Sequence, residues 1–202
     1  MSPAPATGSG SPMRTERELL IDCLQRLNRL DVPYMLVGAM ASNYWGIPRT
    51  THDLDFVLVL QPGDAERLAT DFATGFFIQV ESIRSAFSPP HQFHALDEQS
   101  ALKVDFWLCQ DDPFERVAFD RRLSVTLFGT PAWIATAEDV ILHKLYWHTI
   151  SPSDRQLHDA AGVYAIQGDT LDHKYLCQWA PLLGVEQEWN ALLAGKLKPK
   201  ST

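Results

Sequence analysis

The chain has 202 residues, 46% of them hydrophobic and 21% charged, and a formal net charge of −8. That length suits one ordinary domain, or one domain with a small helical annex. The charge argues against a protein that coats nucleic acid through a broad basic surface, while leaving room for a local site for one RNA end. No apolar run approaches the ~20 residues needed to span a bilayer.

Residues 1–12 are rich in Pro, Ala, Gly and Ser and carry no charge. They lack the basic-then-apolar plan of a signal peptide, and residues 1–14 are expected to form a disordered tail. Cys23, Cys109 and Cys177 lie far apart and form no metal or redox motif. Their odd number fits a reducing compartment, so a cytoplasmic location is expected.

Residues 15–30 place Leu20, Leu24, Leu27 and Leu30 at helical spacing and predict an amphipathic helix. Asp31-Val32-Pro33 ends it. A short buried strand follows over 34–37 and stops at Gly38. Residues 39–45 read as a helix ending at Gly46. Thr51 or His52 opens an apolar strand, Leu54 to Leu60, that carries Asp53 and Asp55. A turn at 61–64 leads into a helix over 64–72. Weaker strands are predicted at 76–80 and 91–96 around a Ser-Pro-Pro loop. In residues 101–108, Leu102, Val104, Phe106 and Leu108 share one face, and Lys103, Asp105 and Trp107 the other. Another strand covers 123–128.

After Gly129-Thr130-Pro131 the pattern becomes helical. Thr136 and Asp139 resemble a capping box that opens a helix to about 149. Ser151 or Ser153 caps the next, which runs to about 167. Two more follow at 172–182 and 185–193. The expected organisation is a mixed core over 15–135, a C-terminal helical region over 136–195 and a frayed basic tail over 196–202. The fold class is therefore α/β or α+β with helices appended.

Chemistry concentrates on three features. Asp53 and Asp55 are two residues apart on a strand and so point the same way. Two carboxylates on a core strand repel each other and lose solvation, a cost that a hard divalent cation such as Mg²⁺ relieves. A helix start at Gly38, followed by the small residues Ala39, Ala41 and Ser42, offers free N–H groups and close approach for a phosphate. Asp105 on a later strand adds a third carboxylate. Three carboxylates beside a phosphate cradle can hold two metal ions for an in-line phosphoryl displacement.

These positions resemble the DNA polymerase β-like nucleotidyltransferase superfamily, whose pattern is Gly-Gly/Ser, a short helix, Asp-x-Asp on a strand and a later Asp. Here they are Gly38-Ala39, Asp53-Leu54-Asp55 and Asp105. More narrowly, Arg49-Thr50-Thr51-His52-Asp53-Leu54-Asp55 and the helix start Thr136-Ala137-Glu138-Asp139, with Lys144 downstream, resemble small bacterial nucleotidyltransferases related to toxin–antitoxin toxins. The resemblance spans residues 34–193. It implies a mixed sheet flanked by helices and transfer of an NMP from an NTP to a hydroxyl. It also implies metal ligation by Asp53, Asp55 and Asp105, with Mg²⁺ or Mn²⁺. Gly38, Ala39, Ser42, Arg49, Thr51 and Lys144 are the nucleotide-binding candidates it brings with it.

The acceptor is open: a tRNA end, a protein hydroxyl or a small molecule, with an antitoxin-like partner protein also in view. Ala39 departs from the family pattern, since alanine offers no side-chain hydroxyl. The alternative is a nucleotidyltransferase-fold protein that binds nucleotide or a partner without catalysis.

Several assignments have plainer competitors. Arg49 can contact a phosphate or pair with Asp53 or Asp55. Asp105 can pair with Lys103. Lys144 can reach a triphosphate or extend to water. Arg155 and Asp159, one helical turn apart, read as a surface ion pair. His91 and His94 fall in a loop, and most of the six tryptophans read as core or helix-packing anchors.

Overall fold

A computed structural model describes residues 13–200. The predicted tail over residues 1–14 therefore lies almost wholly outside the described residues, as do residues 201 and 202. Among the described residues a seven-stranded sheet runs in the order β3-β4-β5-β2-β1-β7-β6. Its strands are β1 (Tyr34–Leu36), β2 (Asp53–Leu58), β3 (Phe76–Phe77), β4 (Gln92–Asp97), β5 (Lys103–Leu108), β6 (Leu123–Leu127) and β7 (Thr130–Ile134). The pairs β2/β5 and β1/β7 are parallel and the others antiparallel.

The helices are α1 (Glu16–Arg29), α2 (Gly38–Trp45), α3 (Ala65–Phe72), α4 (Val80–Ser85), α5 (Pro113–Arg121), α6 (Ala137–Ile150), α7 (Asp154–Gln167), α8 (His173–Leu182) and α9 (Glu186–Leu193). Sequence explains their ends. Thr15 and Glu18 form a reciprocal capping box at α1. Asp112 caps α5, with Pro113 at the first helical position. The Thr136 hydroxyl accepts from the Asp139 N–H and donates to the Asp139 carboxylate at 2.6 Å.

The central strands have two unlike faces. Leu54, Phe56, Val104 and Phe106 are buried on one of them. There Phe106 stacks with Phe56 and Phe93 and meets Phe72 of α3 edge-on. The other face carries Asp53, Asp55, Val57, Asp105 and Trp107, and is roofed by α2, α6 and α7. No helix among the described residues is long and apolar enough to cross a membrane.

Three elements differ from the sequence reading. Residues 76–80 form only a two-residue strand, after which Val80 opens α4. Helix α5 fills the unassigned stretch before β6. Strand β7 pairs with β6 across a turn in which Phe128 and Gly129 both take positive φ, 50° and 82°. That is the backbone of a tight hairpin, which glycine accepts readily. The basic end is also less free than expected, because Leu197 packs against the core.

Candidate active site

The carboxylates come together through strand register. Asp55 of β2 lies directly opposite Asp105 of β5, and Asp53 lies opposite Lys103. Neighbouring strands are about 4.8 Å apart and registered partners in a parallel pair share a face. The Asp55 and Asp105 side chains therefore leave the sheet together. Asp105 is 7% exposed, and its Oδ1 has no hydrogen-bond partner. Burial, and then the neighbouring Asp105, push the Asp55 carboxyl up to about 6. A buried carboxylate with an unpartnered oxygen, beside a second half-buried carboxylate, suits a hard cation bound through oxygen.

The three carboxylates do not close into a ready metal cage. Among the described residues no group of three or more His, Cys, Asp or Glu is gathered tightly enough to hold a metal ion. Of the expected trio, the strand register sets Asp55 beside Asp105, and Asp53 stands two positions earlier on β2, opposite Lys103. Asp53 sits at the exposed start of β2, and Lys103 places its ammonium 2.8 Å from Asp105 Oδ2. The Asp105–Lys103 pairing is thus the contact present here. Lys103 supplies local positive charge, and Asp105 holds its ammonium above the usual lysine range.

Gly38 has a reason beyond a turn. It takes φ 63°, a backbone region that L side chains rarely adopt. A Cβ there would lie 2.8 Å from the Asp55 carboxyl carbon. Glycine therefore lets the start of α2 close onto the carboxylate. Gly38→Ala is expected to cost about 1–2 kcal/mol from backbone conformation alone and to push Asp55 aside. Urea denaturation with and without Mg²⁺ checks it, and a variant as stable and as Mg²⁺-responsive as the parent would contradict this account of Gly38.

The other candidates separate. Ala39 is buried, 6% exposed, so its methyl faces protein and only its backbone is on offer. The Ser42 hydroxyl is also buried and donates to the Gly38 carbonyl at 3.0 Å, so its donor is committed within the helix. Thr51 and Arg49 line a cleft that opens beside Asp53.

Arg49 pairs with neither Asp53 nor Asp55. Its Nε and Nη2 donate to Asp159 at 2.7 and 2.8 Å. Lys144 neither extends to water nor stands free, since its ammonium lies 2.8 Å from Asp159 Oδ2 and the residue is 7% exposed. Asp159 is therefore a buried anchor for two cations, not the surface partner of Arg155. Burial acts to raise its pKa, but the Arg49 hydrogen bonds and Lys144 outweigh burial and hold it below the ordinary range.

A second cleft of about 530 Å³ opens on the far side of Asp55. Val57, Trp107, Tyr146, Trp147 and Ile150 make it largely apolar, with Gly38 and Lys144 at its carboxylate end. Trp107 and Trp147 are 5.7 Å apart, and Trp147 is 38% exposed. Trp107 is half-buried and packs against the core, whereas Trp147 is exposed. Trp107 was accessible from sequence, because strand alternation puts it on the Asp105 face.

His143 lines the same cleft. Nδ1 faces the Asp139 carbonyl at 2.9 Å and Nε2 faces Glu115 at 3.0 Å. Both partners are acceptors, an arrangement that favours the doubly protonated ring. Burial opposes that charge, and Glu115 outweighs burial to hold His143 above its ordinary value. His91 also lines this cleft, while His94 lies on β4.

Comparison with known structures places the architecture. The chain has the nucleotidyltransferase fold. It resembles an antigenic nucleotidyltransferase-like protein from Paracoccidioides brasiliensis at TM-score 0.55 and 15% identity, over 95% of this chain and 97% of that one. It also resembles the lincosamide antibiotic adenylyltransferase LnuA at TM-score 0.54 and 12% identity, over 77% and 99%. The antibiotic-resistance factor ANT(2'')-Ia matches at TM-score 0.53 and 13% identity, over 88% and 95%. No protein-family model matches the chain, and no curated protein does.

Proposed function

We propose that the protein is a metal-dependent nucleotidyltransferase that moves an NMP from an NTP to a hydroxyl, forming a bond from that oxygen to the α-phosphorus and releasing pyrophosphate. The observation that carries this reading is the registered pair Asp55 and Asp105, with one buried, unpartnered carboxylate oxygen beside a glycine helix start. The fold supports it, since one structural neighbour of this chain, LnuA, is an adenylyltransferase and another, ANT(2'')-Ia, was solved with an adenylylated tobramycin. A fold alone does not set the reaction, so the site has to carry the argument.

Asp55 and Asp105 would hold Mg²⁺ or Mn²⁺, with Asp53 turning in from the start of β2. Bound divalent ions there supply charge neutralisation for the attacking and leaving oxygens. The N–H groups at Gly38 and Ala39 donate to the phosphates. Lys144, fixed by Asp159, sets positive charge at the carboxylate end of the apolar cleft. Trp107, Tyr146 and Trp147 offer faces on which the nucleobase stacks. Asp105 accepts the proton of the attacking hydroxyl, for which Lys103 has to release Oδ2. The acceptor classes are a tRNA end, a protein hydroxyl or a small molecule. A toxin-like role with an antitoxin-like partner is the biological setting this reading allows.

The test is transfer of label from each α-labelled NTP, with thermal melting in parallel. Saturating NTP with Mg²⁺ is expected to add about 2.7 kcal/mol at a hundredfold excess over Kd. That corresponds to a rise of roughly 5–10 °C for a chain of this size. Asp53→Asn with Asp105→Asn should abolish both transfer and the metal-dependent part of the rise. A parent that binds NTP but labels no acceptor would favour the non-catalytic reading, which Ala39 and the Lys103–Asp105 contact also support. An unchanged rise in the double variant would place the nucleotide elsewhere.

A further inference from the structure

Beyond the apolar cleft, the carboxylates border a second opening of different chemistry. It holds about 830 Å³ on the Asp53 side, between residues 47–53 and the first half of α7. Arg49, His52, Arg155, His158 and Lys200 line it, together with Thr51 and Asp53. An adjoining hollow of about 530 Å³ carries Lys196, Lys198 and Lys200 along the same stretch of α7.

The C-terminal segment makes this continuous. Lys196, Lys198 and Lys200 alternate with Leu197 and Pro199. Leu197 packs against the core and fixes the segment to α7. Lysines two residues apart are at most about 7 Å apart along a chain, the order of spacing of successive phosphates on a stretched single strand. Against these cations stand Asp53, Asp154 and Asp159. Asp159 is already neutralised by Arg49 and Lys144, and His52 faces Glu16 at 2.9 Å. No ion pair of Arg155, Lys196, Lys198 or Lys200 forms among the described residues, in a chain whose net charge is −8. Cations concentrated at one mouth of an acidic protein form a local polyanion site, not general surface charge.

We propose that this basic lip seats a single-stranded RNA end whose terminal hydroxyl is the nucleotidyl acceptor. The lysine track follows the backbone phosphates, and His52 and His158 provide ring faces for bases near the terminus. Asp53, which lines the same opening, brings the terminal hydroxyl to the carboxylates. The nucleotide occupies the apolar cleft on the other side. The acceptor assignment rests on the transferase reading, whereas binding of the strand does not.

The experiment measures fluorescence anisotropy of a 5′-labelled single-stranded RNA of about 12 nucleotides, at several salt concentrations, with the full-length protein. The parent is expected to bind, with little dependence on sequence. Lys196→Gln with Lys198→Gln and Lys200→Gln should weaken binding at least tenfold. The same triple change should flatten the slope of log affinity against log salt by about 2. Its affinity for NTP should stay within about twofold of the parent's, because NTP sits in the other cleft. Arg155→Gln should weaken RNA binding further.

Failure of the parent to bind RNA at low salt overturns the proposal. Unchanged RNA affinity in the triple variant does so too. Equal loss of NTP affinity would assign the lip to the triphosphate instead. Asp55→Asn with Asp105→Asn separates the two readings. RNA binding without any label transfer in the parent would leave the lip as a strand-binding site, while the transferase reading, and with it the acceptor role, would fall.

Discussion

Replacing Asp55 with asparagine is expected to stabilise the metal-free protein at neutral pH and, on the proposed chemistry, to abolish nucleotidyl transfer. The Asp55 carboxyl is pushed up to about 6, first by burial and then by Asp105, with Lys144 and Lys103 opposing the shift. The ordinary value is 3.8. Between the two, the folded protein holds a proton that the unfolded chain has given up. Stability therefore falls as pH rises from about 4 to about 6, and the loss persists above that window. A shift of about two units corresponds to roughly 2–3 kcal/mol. Asparagine carries no charge and so escapes this loss. Urea denaturation in chelator at about pH 4 and about pH 7 should show the parent losing stability relative to Asp55→Asn as pH rises. Mg²⁺ should then restore the parent and leave the variant unmoved. An Asp55→Asn protein less stable than the parent at neutral pH would mean that the carboxylate is satisfied within the fold, and the case for a cation between Asp55 and Asp105 would lose its main physical support.

This pattern of a residue that costs stability and is kept for chemistry explains which parts of the site are visible in sequence. Asp53 and Asp55 stand out because charge interrupts an apolar strand, and Asp105 because strand alternation isolates it from Val104 and Phe106. Their meeting was not visible in composition or periodicity, since it depends on the parallel register of β2 with β5. Asp159 was hidden for a related reason. At helical spacing from Arg155 it looks like half of a surface pair. Only the packing of α7 on α2 and α6 turns it inward to Arg49 and Lys144.

The elements follow the same logic. The C-terminal helices are legible because capping residues such as Thr136 and Asp172 mark their starts. Strand β7 was obscured by Pro131, which argues against a strand interior. Its buried Thr130, Ala132 and Ile134 nevertheless alternate with exposed Pro131 and Trp133. Helix α4 has six residues, too few to show a helical period. Helix α5 had a readable start in Asp112-Pro113, a signal of N-cap and first-turn proline that outweighs its weak apolar stripe.

Removing the Asp159 carboxylate is expected to have the largest effect on stability of any single change around the site. Asp159 and Lys144 are 8% and 7% exposed. Asp159→Ala leaves the buried Lys144 ammonium and the Arg49 guanidinium without their shared anion. Breaking a buried pair from one side costs about 3–5 kcal/mol, because the uncompensated charge stays in a poor solvent. For a chain of this length that lowers the melting temperature by roughly 10 °C. Asp159→Asn keeps an acceptor oxygen and should fall between alanine and the parent. The mechanism predicts non-additivity as well. Lys144→Met in the Asp159→Ala background should recover part of the loss, since it removes the stranded charge. Arg49 adds a local consequence, because its side chain ties the loop before β2 to α7. Freed of Asp159, that loop no longer holds Thr51 and Asp53 beside the basic cleft. Denaturation midpoints of the two single variants and the double variant test the argument. If Asp159→Ala costs less than about 1 kcal/mol, the triad behaves as an exposed pair. If Lys144→Met adds to the loss instead of relieving it, Lys144 contributes by packing and not by charge.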